Sequence, residues 1–424
     1  MIRDLAEMPQ DATAYLDAHA DEPLVDDKTQ QAMLENFRRS FFAVWDGKGV
    51  APPVQVVRQR FERFITNPGF GENFQAVGPD HIGDLQEQAQ LESFPNCGRR
   101  AITIRNSSVR ELPEQRPIFA LPPDQPADGY PFDLLQASAV WVGSPLYVCH
   151  VGRDGAWLYV RAGFAAGWMR TDDVAYVDDA FVEQWQALPL AAIVKDDVAL
   201  TDVDGIYRAT AHIGAVFPLA GQEQDKLEIL VPAANERRQA VAVHAFLPAE
   251  QAQSMPLPLA ATHMAELANQ LLGQPYGWGG LYELRDCSSA LRDLFVPFGL
   301  YLPRNSGAQG QSGQVVRMEG LVGPEKERLL LEKGKPFLTL VHIPGHIMLY
   351  IGQHHGRAAV LHNYWGVHTQ TQGRTERHVL GRCVITTLQP GLELPNLLPG
   401  ADRRERVDAI ILLDPLAEAG NELD

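Results

Sequence analysis

The sequence predicts a multidomain α+β protein: a helical N-terminal region, two small β-barrels and a C-terminal α+β domain. Three observations point there. Apolar residues recur at helical spacing through the first hundred positions; from Arg99 onward, short β-rich runs are punctuated by Pro, Gly and Asp; and near residue 287 a glycine-rich turn leads into an apolar-striped helix followed by alternating strands. At 424 residues the chain exceeds what one core ordinarily organises, so two to four domains are expected.

Residues 1–98 read as helical, without a strand pattern. Met33, Phe37, Phe41 and Trp45 fall four apart, as do Val57, Phe61 and Ile65, and such stripes are core faces. Residues 99–182 form the first barrel, with short strands in AITIR, AVWVGSPLYVCHVG and WLYVRAG. Residues 183–250 repeat that texture in KDDVALTDVDGIYRATAHIGAVFPLAG, LEILVPAA and AVAVHAFLP. The segment PAEQAQSMPLPLA, rich in Pro, Gln and Ala, reads as a linker. The last domain, 251–424, opens with a helix that carries Met264, Leu267, Leu271 and Leu272 on one face and Gly273 beyond its end.

Hydrophobic content of 45% and charge of 21% belong to a folded globular chain. A formal charge of −17 argues against nucleic acid as partner, because phosphate binding needs clustered Lys and Arg. Cys97, Cys149, Cys287 and Cys383 lie far apart with no CxxC, so neither a zinc site nor a disulfide scaffold is indicated, and no metal or cofactor is expected. A Cys97–Cys149 bridge stays open. No apolar run reaches membrane-spanning length, and the first thirty residues lack a signal peptide's apolar segment. The expectation is a monomer that does not cross a membrane. If the protein is exported, any leader is absent from this chain.

Chemistry concentrates in YGWGGLYELRDCSSAL, residues 276–291. Gly277, Gly279 and Gly280 let backbone pass close to a neighbour, Asp286 can cap a helix, and Cys287 then sits in its first turn. Ala290, Leu291, Leu294 and Phe295 give that helix an apolar face, and Pro297 stops it. Free N–H groups and the positive end of the dipole favour a thiolate there. A lone cysteine is more often a buried structural residue. The glycines before it and the histidines after it shift the reading toward a nucleophile. In GHIMLYIGQHHGRAAVLHNYWGV, His346, Met348 and Tyr350 point one way, and Ile347, Leu349 and Ile351 the other. A return strand over residues 358–362 and a turn near His354 place His346 and His362 opposite each other, with His354 and His355 at the solvated tip. One imidazole can take the thiol proton while the second polar ring fixes the first one's tautomer.

YGWGG, DCS, LPRNS, GHIMLYIG and VLH together resemble the NlpC family of papain-like cell-wall cysteine peptidases, over roughly Met264 to Leu413. The run VGSPLYVCHVGRDGAWLYVRAGFAAGWM resembles a bacterial SH3-like domain, and the order of parts is similar to the γ-D-glutamyl-L-diamino acid endopeptidases. The resemblance implies Cys287 as nucleophile, His346 as general base and acid, and His362 as the residue orienting it. It also implies Tyr276 beside the nucleophile, with Asp286, Ser288, Arg304 and Ser306 lining the substrate pocket. The spacing from His346 to His362 is longer than is usual in the family, which keeps Asn363 as the alternative third member.

The implied substrate is the peptidoglycan stem peptide, cut between D-glutamate and the diamino acid (diaminopimelate), with a free N-terminal L-alanine. The resemblance implies the cell envelope, periplasm or exterior as location, with a cytoplasmic location as the alternative. The first barrel's ADGYPFDLLQ, residues 127–136, offers Tyr130 and Phe132 as walls and Asp133 as partner for the free ammonium; the alternative is an ordinary loop with its aromatics in the core. Asp286 can serve an ammonium or the helix cap, and Arg304 a substrate carboxylate or the loop carrying Ser306. Two other readings stay open: a non-catalytic wall-binding protein, and an amidase or acyltransferase on another amide.

Overall fold

The apolar stripes of the N-terminal region face inward, and they do so against two different neighbours. The computed structural model describes residues 2–47, 50–122, 129–398 and 401–413. In helix Asp27–Phe42, capped by the Asp26 carboxylate on the Thr29 N–H, Met33 packs into the C-terminal core. Phe37, Phe41 and the following Trp45 pack against the second barrel. In helix Val54–Thr66 the buried stripe is Val57, Phe61 and Phe64, while Ile65 is 40% exposed. A period of 3.6 makes the second step three residues, where the sequence reading took four. Nor is the region free of strand: Phe70–Gly71 pairs with Ile118–Phe119 of the first barrel.

The first barrel is a seven-stranded antiparallel sheet in the order Gln136–Val140, Ser107–Arg110, Ala166–Arg170, Trp157–Arg161, Pro145–Val151, Arg99–Thr103, Val174–Tyr176. The second joins a five-stranded sheet to the hairpin Val198–Thr201 and Tyr207–Ala211. The segment expected to be a linker contributes to it: Ala252–Ser254 pairs with Leu190–Ile193. Only Ala252 of that strand turns inward, which is why its composition reads as solvated. Cys97 and Cys149 are free thiols on neighbouring backbone, the Cys97 N–H donating to the Cys149 carbonyl.

The C-terminal domain is a six-stranded antiparallel sheet, Gly313–Arg317, Ala409–Leu413, Thr339–Ile343, His346–His354, Arg357–Thr371 and Arg374–Thr386 in that order. Strand alternation splits it into two cores. Ile347, Leu349 and Ile351 meet helices Ala261–Leu271 and Cys287–Phe295, while Met348, Tyr350 and Val360 meet Leu330 of helix Gly323–Lys333. Leu291, Leu294 and Phe295 are fully buried, each contributing about 1.5–3 kcal/mol relative to exposure. The return strand is far longer than the sequence suggested, and with its partner it carries Trp365 and Arg377 over the end of the sheet where the cleft opens.

Candidate active site

Helix Cys287–Phe295 begins with a reciprocal cap. Asp286 Oδ1 accepts from the Ser289 N–H at 2.8 Å, and Ser289 Oγ accepts from the Asp286 N–H at 2.9 Å. Cys287 is therefore held as the first helical residue. The glycine turn before it meets the first barrel. Gly279 and Gly280 have φ of +61° and +83°, and a Cβ on Gly279 would stand 2.5 Å from the Gln136 carbonyl oxygen. Gln136 Nε2 donates to the Gly279 carbonyl at 3.1 Å, and Trp278 Nε1 to the Asp133 carbonyl at 3.1 Å.

His346 opens its strand, and its Nε2 lies 2.7 Å from His362 Nδ1. The chain of donors fixes the tautomers. The Thr386 hydroxyl donates to the Thr387 carbonyl, so its oxygen accepts from His362 Nε2–H at 3.0 Å. His362 Nδ1 is then an acceptor for His346 Nε2–H, and the lone pair of His346 Nδ1 is left available as a base. The two rings do not face each other directly. Leu349 pairs with Leu361 after a register shift between Tyr350 and Gly352, which sets His362 diagonally from His346, ring centroids 5.0 Å apart. Asn363 points to the other side and donates to the Arg285 carbonyl at 2.7 Å. His362, not Asn363, meets His346.

Electrostatic influences on the nucleophile run in both directions. Burial, then the Asp286 charge, push the Cys287 thiol up to about 12, against the Ile347 N–H, Arg304 and the Ser288 N–H, which pull it down. Burial first, then the Arg403 charge, hold both His346 and His362 well below 6.5. These directions oppose a resting thiolate–imidazolium pair, whereas the helix start and Arg304 favour the thiolate. Tyr276, buried near Cys287 and Asp286, is held well above 10 and stays a phenol able to donate.

The histidines carry a stability prediction. In the unfolded chain both rings titrate near 6.5, and in the folded chain below it, so the unfolded state binds more protons as pH falls past 6.5. Their contribution is complete above pH 6.5 and is lost below it, at about 1.4 kcal/mol per pH unit for each ring. Urea midpoints measured from pH 7 to 5 should fall, and His346→Gln should flatten the decline. An identical decline in that variant would refute the assignment.

The cleft around Cys287 and His346 measures about 660 Å³. Tyr276, Asp286, Ser288, Arg304 and Ser306 all line it. Arg304 is not free for a substrate carboxylate: its fork grips Asp286 at 2.7 and 3.2 Å, and it also donates to Ser288 Oγ and to Ser138 Oγ of the first barrel. Burial, the largest single influence, works to raise the Asp286 carboxyl, but Arg304 and the hydrogen bonds from Ser289 together hold the group below its usual range. Asp286 thus serves as cap and as cleft wall together.

The first barrel supplies Ala120, Phe132, Leu134, Gln136 and Ala137 to the cleft. Two expectations there need correction. Asp133 is completely buried; its carboxylate pairs with Arg110 at 2.5 Å and accepts from the Ile118 and Leu135 N–H groups, so no ammonium reaches it. Tyr130 stands edge-on to Trp365, centroids 6.3 Å apart, and does not line the cleft. Residues 127 and 128 of that loop lie outside the described residues. Sequence reasoning missed Trp278, Tyr364, Trp365, Arg377, Arg403 and Arg406, all of which line the cleft. Trp365 could have been found by extending the strand that carries His362; nothing in the sequence marks Arg403. Among the described residues no group of His, Cys, Asp and Glu is arranged to hold a metal ion.

A buried cysteine at a helix start, a base-ready histidine on the facing sheet and barrels upstream define a papain-like cysteine peptidase domain with SH3-like partners. The model of the NlpC/P60 family matches residues 273–378, and that domain belongs to the family. Upstream, the N-terminal NLPC_P60 stabilising domain matches residues 1–94, an SH3 domain of SH3b1 type 117–170 and one of SH3b2 type 178–224. The fold is similar to an NlpC/P60 endopeptidase from Photobacterium damselae subsp. piscicida, with a TM-score of 0.87 and 25% identity, covering 96% of this chain and 97% of that one. An NlpC/P60 family protein from Bacillus cereus ATCC 10987 is more distant: TM-score 0.49, 18% identity, 74% and 100% coverage. No curated protein matches the sequence.

Proposed function

We propose that this protein is a cysteine peptidase that hydrolyses peptidoglycan stem peptides at the γ-D-glutamyl–diaminopimelate bond, taking peptides with a free N-terminal L-alanine. The observation that carries the reading is the relay ending in an open His346 Nδ1, in a cleft that Cys287 also lines and to which the first barrel contributes a wall. Membership of the NlpC/P60 family and the likeness to a protein described as an endopeptidase support the same reaction.

Cys287 Sγ attacks the γ-carbonyl carbon as its proton passes to His346 Nδ1. The Cys287 N–H and the Tyr276 phenol stabilise the oxyanion, and His346 returns the proton to the leaving amine. Water, deprotonated by His346, then hydrolyses the thioester. His362 holds the imidazolium's Nε2–H throughout, stabilising a charge that burial otherwise disfavours. Asp286, immediately before the nucleophile, is a carboxylate on the cleft wall, and Phe132 and Trp278, centroids 5.1 Å apart, line the same cleft. A peptide still joined to muramic acid has no ammonium for Asp286 and too much bulk for those walls.

Mass spectrometry of muropeptides before and after incubation tests this. Free L-Ala-γ-D-Glu-diaminopimelate peptides should be cut, and N-acetylating the alanine should cost about tenfold or more in kcat/KM. Intact sacculi should release little. Efficient release from sacculi would return the barrels to a wall-targeting role, and binding without any cleavage would favour the non-catalytic reading.

A further inference from the structure

We infer that Arg403 and Arg406 form a carboxylate subsite on the leaving-group side of the cleft, selecting a diamino acid that carries a free carboxylate. The inference rests on the proposed function and adds to it the chemistry of the departing amine.

Arg403 is nine-tenths buried and lines the cleft. Its Nε donates to the Tyr364 hydroxyl at 2.9 Å, and its guanidinium carbon sits 3.9 Å from that ring's centroid. Its Nη1 is buried without a hydrogen-bond partner. A charged donor in that state costs free energy in the empty site, and a ligand oxygen recovers it. Arg406, exposed at the other end of the short helix Arg403–Arg406, also lines the cleft. Among the described residues neither guanidinium pairs with a carboxylate; the neighbouring acid, Asp402, lies 3.6 Å from Arg404 and accepts from Gln389. In a chain of formal charge −17, a cleft wall with two uncompensated arginines invites an anion.

The side on which they stand identifies the anion. The leaving nitrogen must come within reach of the proton on His346, so the departing residue lies on the histidine side of the cleft. Arg403 is there: it lies over the Tyr364 ring, whose centroid is 5.7 Å from that of His346, and Arg406 follows it on the same short helix and lines the same cleft. A carboxylate one residue's length from the scissile nitrogen then meets the Arg403 fork, the pairing for which a planar guanidinium is suited. The D-glutamyl residue carries a carboxylate too, and substrates can separate the two sources.

The test compares L-Ala-γ-D-Glu-diaminopimelate with L-Ala-γ-D-Glu-norleucinamide, which keeps the glutamyl carboxylate and has no charge on the departing residue. The intact protein should prefer the first by about tenfold or more in kcat/KM. Arg403→Gln and Arg406→Glu should each shrink that preference, with the change in the KM of the diaminopimelate peptide. Arg406 is exposed, so Arg406→Glu reads the subsite even if the buried Arg403 variant fails to fold. No preference in the intact protein, or one that survives Arg406→Glu, would overturn the inference. Equal losses on both substrates would assign the arginines to the glutamyl carboxylate and overturn it as well. Cleavage of neither peptide by the intact protein would instead sink the proposed function, and the inference with it.

Discussion

Cys287→Ser should lower turnover by roughly three orders of magnitude or more while leaving the fold in place. The substitution keeps the size and the helix-first position, and the cysteine's surroundings, Ala290, Leu291 and Ile347 among them, need no adjustment. What changes is the proton transfer. His346 is a weak base, because burial and the nearby Arg403 disfavour its charged form. Such a base can accept a thiol proton during attack. An alcohol proton is a far poorer donor, and serine attack would leave the barrier uncompensated. Circular dichroism and thermal melting should match the parent within error while peptide release collapses. A serine variant retaining more than about a tenth of the rate would show that the thiol is not the nucleophile.

Arg285→Met should be the most destabilising single change near the site. Arg285 is 2% exposed, and its fork takes both oxygens of Asp196 from the second barrel at 2.8 Å each. Its Nε donates to Asp293 on the nucleophile helix at 2.8 Å, and Nη2 to the Ile213 carbonyl. Asp293 also accepts from Trp141 Nε1 of the first barrel at 2.9 Å. Removing the guanidinium leaves the buried Asp293 carboxylate and the partly buried Asp196 carboxylate without their main partner, a loss of about 3–5 kcal/mol. That is a large part of the roughly 5–15 kcal/mol that holds a domain folded. Urea unfolding should show it, and pairing Arg285→Met with Asp196→Leu should recover part. A loss below about 1 kcal/mol would mean that water already serves these carboxylates.

The local half of the site was legible, and the non-local half was not. Asp286, Cys287 and the apolar face behind them are set by caps and a period of 3.6, all within ten residues. His346 and His362 were legible as members of one face, because alternation in a strand survives a modest error in the turn. Their diagonal relation was not, because it depends on the irregularity near Gly352, whose φ of +135° brings it beside the Tyr15 carbonyl oxygen of the N-terminal region. Asp133 looked free because its partner, Arg110, is 23 residues earlier on another strand. Arg304 looked available for the same reason. Charges read along a chain carry no record of which opposite charge the fold delivers to them.

The glycine pair that meets Gln136 and Ala139 sets an order of events during synthesis. The turn before Cys287 takes its shape against a strand made about 140 residues sooner, and chains fold domain by domain as they are made, N-terminal first. Folding in that order lets the barrel that walls the cleft stand before the cysteine leaves the ribosome. The hydrolytic centre is completed last, on a surface prepared for it, and a chain interrupted before that docking carries the thiol without the cleft that makes it a peptidase.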